Sequence, residues 1–463
     1  MRVHFVGVGG YGMSALAELL LRRGVDVSGC DARPNQRSDR LAALGARIWA
    51  GHDVSHLEGV DRVVYSTDVP TDLPEMAEAD RLGVERVHRS QILAEAMAGA
   101  YAVAVTGTHG KTTTTALTTH LLAAAGQDPV GVVGGEIDAW GGGVRVGRGG
   151  VVVAEADESD GSFLRYRPDV AIVTNIEPEH LEHYGGDFAR VLAAYGRFLS
   201  QVAPGGAAIL WRGDPRLRRL GEEAGARVRW YGLEADADVR AEGVEAAAGG
   251  MAFDVVRDGK NLGRVRLAAP GAHNVLNALA AIEAGLAAGA AWDAIAPALA
   301  EFRNAHRRFE VVYRGPQGVV VDDYAHHPSE IRAVLAAARA LGHERVCAVF
   351  QPQRYVRTRN LWPEFVEAFD DADSLVVLDV YAPAGEAPIP GVSGEALAQA
   401  IARRHPHVRY ARSLDAAADM AVEAWRPGDL WLTMGAGDVW RVARELGARL
   451  CGTAGSTVSG TGA

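Results

Sequence analysis

The chain has 463 residues, 48% of them hydrophobic and 23% charged, with a formal net charge of −11. That length predicts more than one core, on the order of two to four domains, and the acidic balance argues against a nucleic-acid partner. Cys30, Cys347 and Cys451 show no metal-ligand spacing and point to a reducing, cytoplasmic setting. No basic leader and no uncharged apolar run of about 18 residues is present, so neither a signal peptide nor membrane insertion is expected.

Residues 2–8 (RVHFVGV) predict a strand. Gly7, Gly9 and Gly12 then give G-x-G-x-x-G before a helix over 13–23, and a second strand over 26–30 ends at Asp31. The glycines permit a tight turn and close approach to phosphates, and an acid about 20 residues on suits a ribose hydroxyl. The spacing alone leaves open NAD, another nucleotide diphosphate, or a mere strand–helix turn. Strands over 62–65 and 85–87 extend the sheet. His52, Ser66, Thr67 and Arg89 fall near loop ends, where α/β folds bind ligands, although each alone also reads as a surface polar residue.

Residues 101–115 (YAVAVTGTHGKTTTT) read as buried strand, glycine-flanked loop and helix start. Loop N–H groups and the helix N-terminus can cradle phosphate, Lys111 adds a point charge, and the Thr112 hydroxyl can reach magnesium. The match to the usual phosphate-loop pattern is imperfect, because Val105 stands where that pattern has glycine. Lys111 and Lys260 are the chain's only lysines; the other 45 of its 47 basic residues are arginine. Lysine is thus kept where a compact ammonium suits the loop better than a planar fork. Residues 131–150 are glycine-rich and predict loops and short strands. The stretch 151–164 (VVVAEADESDGSFL) predicts a buried strand with Glu155 at its carboxyl end, followed by Asp157, Glu158 and Asp160. Such a carboxylate beside a phosphate loop suits magnesium, and a solvated acidic loop is the alternative. Another strand over 170–174 runs into Asn175, Glu177, Glu179 and His180, the last suited equally to a metal, a phosphate or a structural role. A helix over 188–200, a strand over 207–210 and β-rich sequence to 267 follow. In the helix over 271–289, Asn274 and Asn277 are poor helix formers in the first turn. They suit reading an adenine edge, or in Asn274's case simple capping.

The last segment pairs Arg307 with Arg308 before a strand. It then places Asp322, Asp323, Tyr324, His326 and His327 at the end of another, with Pro328 opening a helix. Arg354, Arg357 and Arg359 follow a strand at 346. Strand–helix alternation predicts a further α/β domain. Its arginines and histidines fit anionic-substrate handling, with solvated faces as the plainer reading. The Gly/Ser/Thr-rich tail over 452–463 is expected to be unstructured.

Taken together, HFVGVGGYGMS (4–14), TGTHGKTTTTA (106–116), EADESDGSFL (155–164), TNIEPEHLEHYGGDF (174–188), HNVLNALAA (273–281), RRFE (307–310), DDYAHHPSEI (322–331), APIPGVSGEAL (387–397) and LTMGAGDVW (432–440) resemble the Mur ligase family. The resemblance implies an α/β protein of three domains: a Rossmann-like UDP-sugar-binding domain over 1–98, a phosphate-loop ATPase domain with a mainly parallel sheet over 99–303, and a Rossmann-like domain over 304–451. It implies an ATP- and magnesium-dependent ligase of peptidoglycan precursor synthesis, monomeric or homodimeric. Such an enzyme joins L-alanine to the lactyl carboxylate of UDP-N-acetylmuramate through an acyl phosphate; the alternative within the family adds a recycled tripeptide.

Carried over by position, Gly9, Gly10, Gly12, Met13 and Ser14 would cradle the UDP diphosphate, with Asp31, Ser66, Thr67 and Arg89 in the same site. Gly107, Thr108, His109, Gly110, Lys111, Thr112 and Thr113 would hold the ATP phosphates, and Asn274 and Asn277 would lie near adenine. Thr112, Glu155 and His180 would surround magnesium. Tyr324, His326, Arg354 and Arg357 would handle the amino acid, and Lys111, His180, Arg308, His326 and Arg357 the chemistry, with His326 as the base. Two positions depart from the family pattern: Glu179 where Asp is usual, and Gln353 where His is frequent. No lysine lies between 111 and 260, so the carbamylated lysine of some relatives is unavailable here. Outside the family, an NAD-dependent dehydrogenase leaves the phosphate loop unexplained. A nucleotide-driven switch has no need of two phosphate sites and an Arg/His-rich third domain.

Overall fold

The computed structural model describes residues 1–382 and 386–455. Its strands form three sheets, mainly parallel, in a mixed α/β chain. The first has five strands in the order Arg47–Ala50, Asp26–Asp31, Arg2–Val6, Arg62–Tyr65, Glu85–His88, all parallel. Its central strand buries Val3, His4, Phe5 and Val6, the mark of a sheet covered on both faces. Gly7 follows in left-handed backbone (φ 76°) and turns the chain into the helix Tyr11–Arg22.

The second sheet has ten strands. At its centre Tyr101–Thr106 lies between Val151–Glu155 and Val170–Val173, parallel to both. Residues 131–150, expected as loops and short strands, contain both: the eight-residue strand Val130–Ile137 pairs antiparallel with the short strand Gly142–Arg145, and a loop follows. The glycines serve packing as well as turning: a Cβ on Gly131 would stand 2.6 Å from the Thr119 side chain, on the helix that follows the phosphate loop.

Residues from Arg307 onward belong to a second compact unit. Its six-stranded sheet runs Glu310–Gly315, Gly318–Asp323, Asp429–Met434, Val346–Phe350, Ser374–Val377, Val408–Tyr410, parallel except for the first pair. The last helix, Trp440–Gly455, continues past 452, where the tail was expected to begin, and 456–463 lie outside the described residues. No helix among the described residues is long and apolar enough to cross a membrane.

Arg307 pins this third sheet from inside. Its guanidinium donates to Asp322 (2.7 Å) and to the carbonyls of Gly437 (3.0 Å) and Gly435 (2.6 Å), while Thr433 donates to the other Asp322 oxygen. Removing one partner of such a buried pair leaves the other charge uncompensated. Arg307→Ala is therefore expected to destabilise this unit by about 3–5 kcal/mol, read as an earlier urea midpoint in the tryptophan fluorescence. An unchanged midpoint would contradict the assignment.

Candidate active site

Two glycine turns deliver helix N-termini with no side-chain cap. Gly10 precedes Tyr11–Arg22 and Gly110 (φ 82°) precedes Lys111–Ala124, and neither helix has an acid in its first turn. Uncapped N–H groups and the helix dipole make each end a ready anion cradle.

The phosphate loop is built against the neighbouring strand end. Gly107 (φ 129°) lies so close to it that a Cβ would stand 2.1 Å from Thr174 Oγ1. Thr108 N donates to the Asn175 carbonyl, His109 N to Asn175 Oδ1, and Glu177 N to Thr108 Oγ1. His109 Nε2 is 3.2 Å from Glu177. Lys111 Nζ donates to the Gly107 carbonyl (2.6 Å), the Thr108 carbonyl (3.3 Å) and Glu158 (2.9 Å). Burial works against its charge, but Glu158, Asp157 and Glu155 outweigh burial and hold its pKa above the ordinary lysine value. Burial in turn pushes the Glu158 carboxyl up against the pull of Lys111.

Thr112 Oγ1 donates to Glu155 (2.9 Å), which also accepts Gly134 N (2.8 Å), so two expected magnesium ligands are adjacent. His180 sits in left-handed backbone (φ 55°) with Nε2 3.5 Å from Glu179. Thr113 Oγ1 donates to Asn304. Asn277 accepts from Thr114 (3.2 Å) and donates to Asn274 (3.2 Å), and a Cβ on Gly110 would come within 2.6 Å of it. Asn274 is the third residue of the helix Ala272–Ala287 and is not its cap; both asparagines are buried, and Asn277 meets the phosphate-loop helix at Thr114.

A cavity of about 570 Å³ opens at the carboxyl edge of the first sheet, a size suited to a small-molecule ligand. Gly10, Gly12, Met13, Asp31, Ser66 and Arg89 line it, and so do Gly134, Glu155 and Asp157 of the central segment. Three further expected residues hydrogen-bond within the protein. Gly9 N donates to Asp31 Oδ2 (3.0 Å), Ser14 Oγ donates to the Tyr11 carbonyl, and Thr67 Oγ1 donates to Asp160 (2.5 Å). Arg89 spans the two segments by donating to Asp157 (2.9 Å). Burial would raise the Asp157 pKa, but Lys111 and Arg89 hold it well below the usual carboxylate range.

In the unit beginning at Arg307, the Arg308 guanidinium lies 5.2 Å from the centre of the Tyr324 ring and 3.9 Å from Glu330. His326 stands edge-on to Tyr324 with Nδ1 3.0 Å from the Tyr324 carbonyl. Arg354 adopts φ 67° and its N–H donates to the Tyr381 carbonyl, while Arg357 pairs with Gln353, one of the two departures from the family pattern.

Three family models match consecutive parts of the chain: "Mur ligase family, catalytic domain" over residues 2–101, "Mur ligase middle domain" over 105–285, and "Mur ligase, glutamate ligase domain" over 307–437. The chain belongs to the Mur ligase family. Among Mur ligases it is 50% identical to a UDP-N-acetylmuramate–L-alanine ligase of Symbiobacterium thermophilum, over 97% of this chain and 94% of that protein. It is 47% identical to a ligase of the same name from Anaeromyxobacter sp., over 96% and 97%. The crystal structure of the UDP-N-acetylmuramate–alanine ligase of Thermotoga maritima superposes with a TM-score of 0.83 at 30% identity, covering 98% of this chain and all of that one.

Sequence reasoning missed several supports of this Mur ligase site. Glu158 was visible as an acid, but nothing in its spacing pairs it with Lys111, 47 positions earlier. Asn175 stood out as a polar residue at a strand end, but its bond to the phosphate loop, like those of Thr174 and Asn304, joins distant elements and has no local signature. Gly107 offers the sharpest check. Gly107→Ala forces a Cβ into Thr174 and is expected to weaken binding of a non-hydrolysable ATP analogue at least about tenfold (~1.4 kcal/mol) in calorimetric titration. Unchanged affinity would rule out this loop as the phosphate cradle.

Proposed function

We propose that this Mur ligase joins L-alanine to the lactyl carboxylate of UDP-N-acetylmuramate at the expense of ATP, in cytoplasmic peptidoglycan precursor synthesis. The observation that carries the reading is the single cavity lined both by the glycine fingerprint and by Glu155, whose carboxylate touches Thr112 beside Lys111. A diphosphate cradle that opens onto a phosphoryl-transfer loop suits a nucleotide-linked acid about to be phosphorylated. Relatives named for L-alanine, 43–50% identical over nearly the full chain, favour the free amino acid over the tripeptide.

The residues present fit the nucleotide and its metal. Gly107 and Gly110 let the loop pack against Thr174 and Asn277 where a Cβ would clash, and Thr112 and Glu155 offer the hard oxygen donors magnesium takes. Thr112, Glu155 and His180 would hold the ion. Bound there, magnesium neutralises charge on the phosphate oxygens. Lys111 holds its ammonium against the transferring phosphoryl group, and the long Thr108 contact is the one it can most readily trade for a phosphate oxygen. The γ-phosphoryl group passes to the lactyl carboxylate, giving an acyl phosphate and ADP. The alanine amine then attacks the acyl carbon, the C–O bond to phosphate breaks, and the amide forms. Arg308 and Arg357 are assigned to the developing oxyanion. His326 is assigned the amine proton: with Nδ1–H donated to the Tyr324 carbonyl, Nε2 is the basic nitrogen. Tyr324 and Arg354 are assigned to the amino acid, and Asn274 and Asn277 to the adenine end, where Asn277 stands behind Gly110.

The test is phosphate release from ATP with magnesium and UDP-N-acetylmuramate, with L-alanine, with L-alanyl-γ-D-glutamyl-diaminopimelate, or with neither. Release that requires L-alanine, with the matching gain in product mass, is expected. Release only with the tripeptide would assign the recycling reaction instead, and release with neither would overturn both. Lys111→Ala should lose at least about 3 kcal/mol of transition-state stabilisation, more than a hundredfold in kcat/KM. Arg89→Ala should chiefly raise KM for the UDP-sugar, because Arg89 lines that cavity; a defect confined to kcat would remove Arg89 from the binding site.

A further inference from the structure

Behind the first sheet's cavity lies a second cluster that the ligase reaction does not use. His4 stands in the central strand, Cys30 near the end of its neighbour, His56 in the short turn Val54–Leu57, and Glu75 in the first turn of the helix Pro74–Leu82. All four are buried, and one potential ligand atom from each lies within 4.8 Å of the others. We propose that His4, Cys30, His56 and Glu75 form a closed binding site for a divalent transition-metal ion of the zinc class.

Unsatisfied atoms point to it. His4 Nε2 and Glu75 Oε2 are buried without a hydrogen-bond partner, a costly arrangement for two side chains that are themselves fully buried. His4 Nδ1 is held by Ser28 Oγ at 3.0 Å, which fixes the ring and leaves Nε2 as the nitrogen for a ligand, the usual support of a metal-bound histidine. Glu75 Oε1 is crowded by Cys30 Sγ (3.2 Å), His56 Nδ1 (3.1 Å), His52 Nδ1 (3.2 Å) and Asp53 N (3.0 Å). Trp49 stacks on His56 at 4.7 Å and closes one side.

The donor set is one sulfur, two imidazoles and one carboxylate, a four-ligand combination suited to tetrahedral zinc. Donors about 2.0–2.3 Å from zinc lie about 3.3–3.8 Å apart, so the cluster needs to contract by about 1 Å. Charge also balances: the ion's two positive charges meet the Glu75 carboxylate and a Cys30 thiolate, and the thiol proton leaves to solvent. Burial pushes the free Cys30 thiol up, which makes the metal-free thiol inert. Burial likewise holds the His4 ring down to about 4, so it is neutral, as a ligand must be.

The full-length protein, produced with zinc in the medium and dialysed, should carry about one zinc per chain by mass spectrometry. Cys30→Ser should retain less than about a tenth of it, whereas Cys347→Ser/Cys451→Ser, which keeps Cys30 as the only thiol, should retain all. Cobalt added to the metal-free protein should give the thiolate charge-transfer band and the strong visible bands of tetrahedral cobalt. If Cys30→Ser does not fold, zinc-edge X-ray absorption on the variant keeping only Cys30 decides, with one sulfur neighbour expected at about 2.3 Å. Folded protein with no zinc and no cobalt band, or zinc without a sulfur neighbour, would show that these residues form only a hydrogen-bonded cluster. None of these readouts depends on ligase activity.

Discussion

Much of the central sheet's carboxyl edge follows from one buried ammonium. Lys111 lies among two loop carbonyls and the Glu158 carboxylate, and it stays charged because three acids outweigh its desolvation. That charge, with Arg89, favours the ionised form of the half-buried Asp157, and Asp157 in turn holds Arg89 at the nucleotide cavity. Cation, carboxylate and second cation thus form a chain from the phosphate loop to the glycine fingerprint. Each member favours the charged form of the next.

The backbone supplies the complementary half. Both helices that open the site begin at glycine, lack side-chain caps, and leave their first N–H groups for an anion. The loop before Lys111 packs so closely on Thr174 and Asn175 that only glycine fits at 107. The arrangement is preorganised before any ligand arrives, which is what a reaction dominated by positioning and charge stabilisation needs.

What could be read from the sequence was local. Strand–glycine–helix units, the acid ending the strand at Glu155 and the proline opening Pro328–Arg339 are all signalled within a few residues of themselves. What could not be read was long-range or decided by burial. Arg307 and Arg308 are adjacent and chemically alike, yet Arg307 is sealed against Asp322 while Arg308 is partly exposed over Tyr324. The left-handed backbone at Arg307 and Phe309 (φ 59° and 52°) helps set these directions, and nothing in the side-chain types announces it. The glycines of 131–150 signalled loops and short strands, but not that one strand is eight residues long and closely approached by a helix at Gly131. Asn274 and Asn277 are anomalous for a helix by residue type, but that Asn277 meets Gly110 and Thr114, and Asn274 meets Asn277, needed the packing.

The scarcity of lysine has a practical side that the fold makes sharper. Of the two lysines, Lys111 is folded into its own loop and ion pair, whereas Lys260 begins an exposed strand end. An amine-directed coupling reagent therefore meets the terminal amine and Lys260 in the folded protein and little else. The chain can be tethered to a surface, or given a fluorophore, at a defined position while the phosphate loop is left chemically untouched.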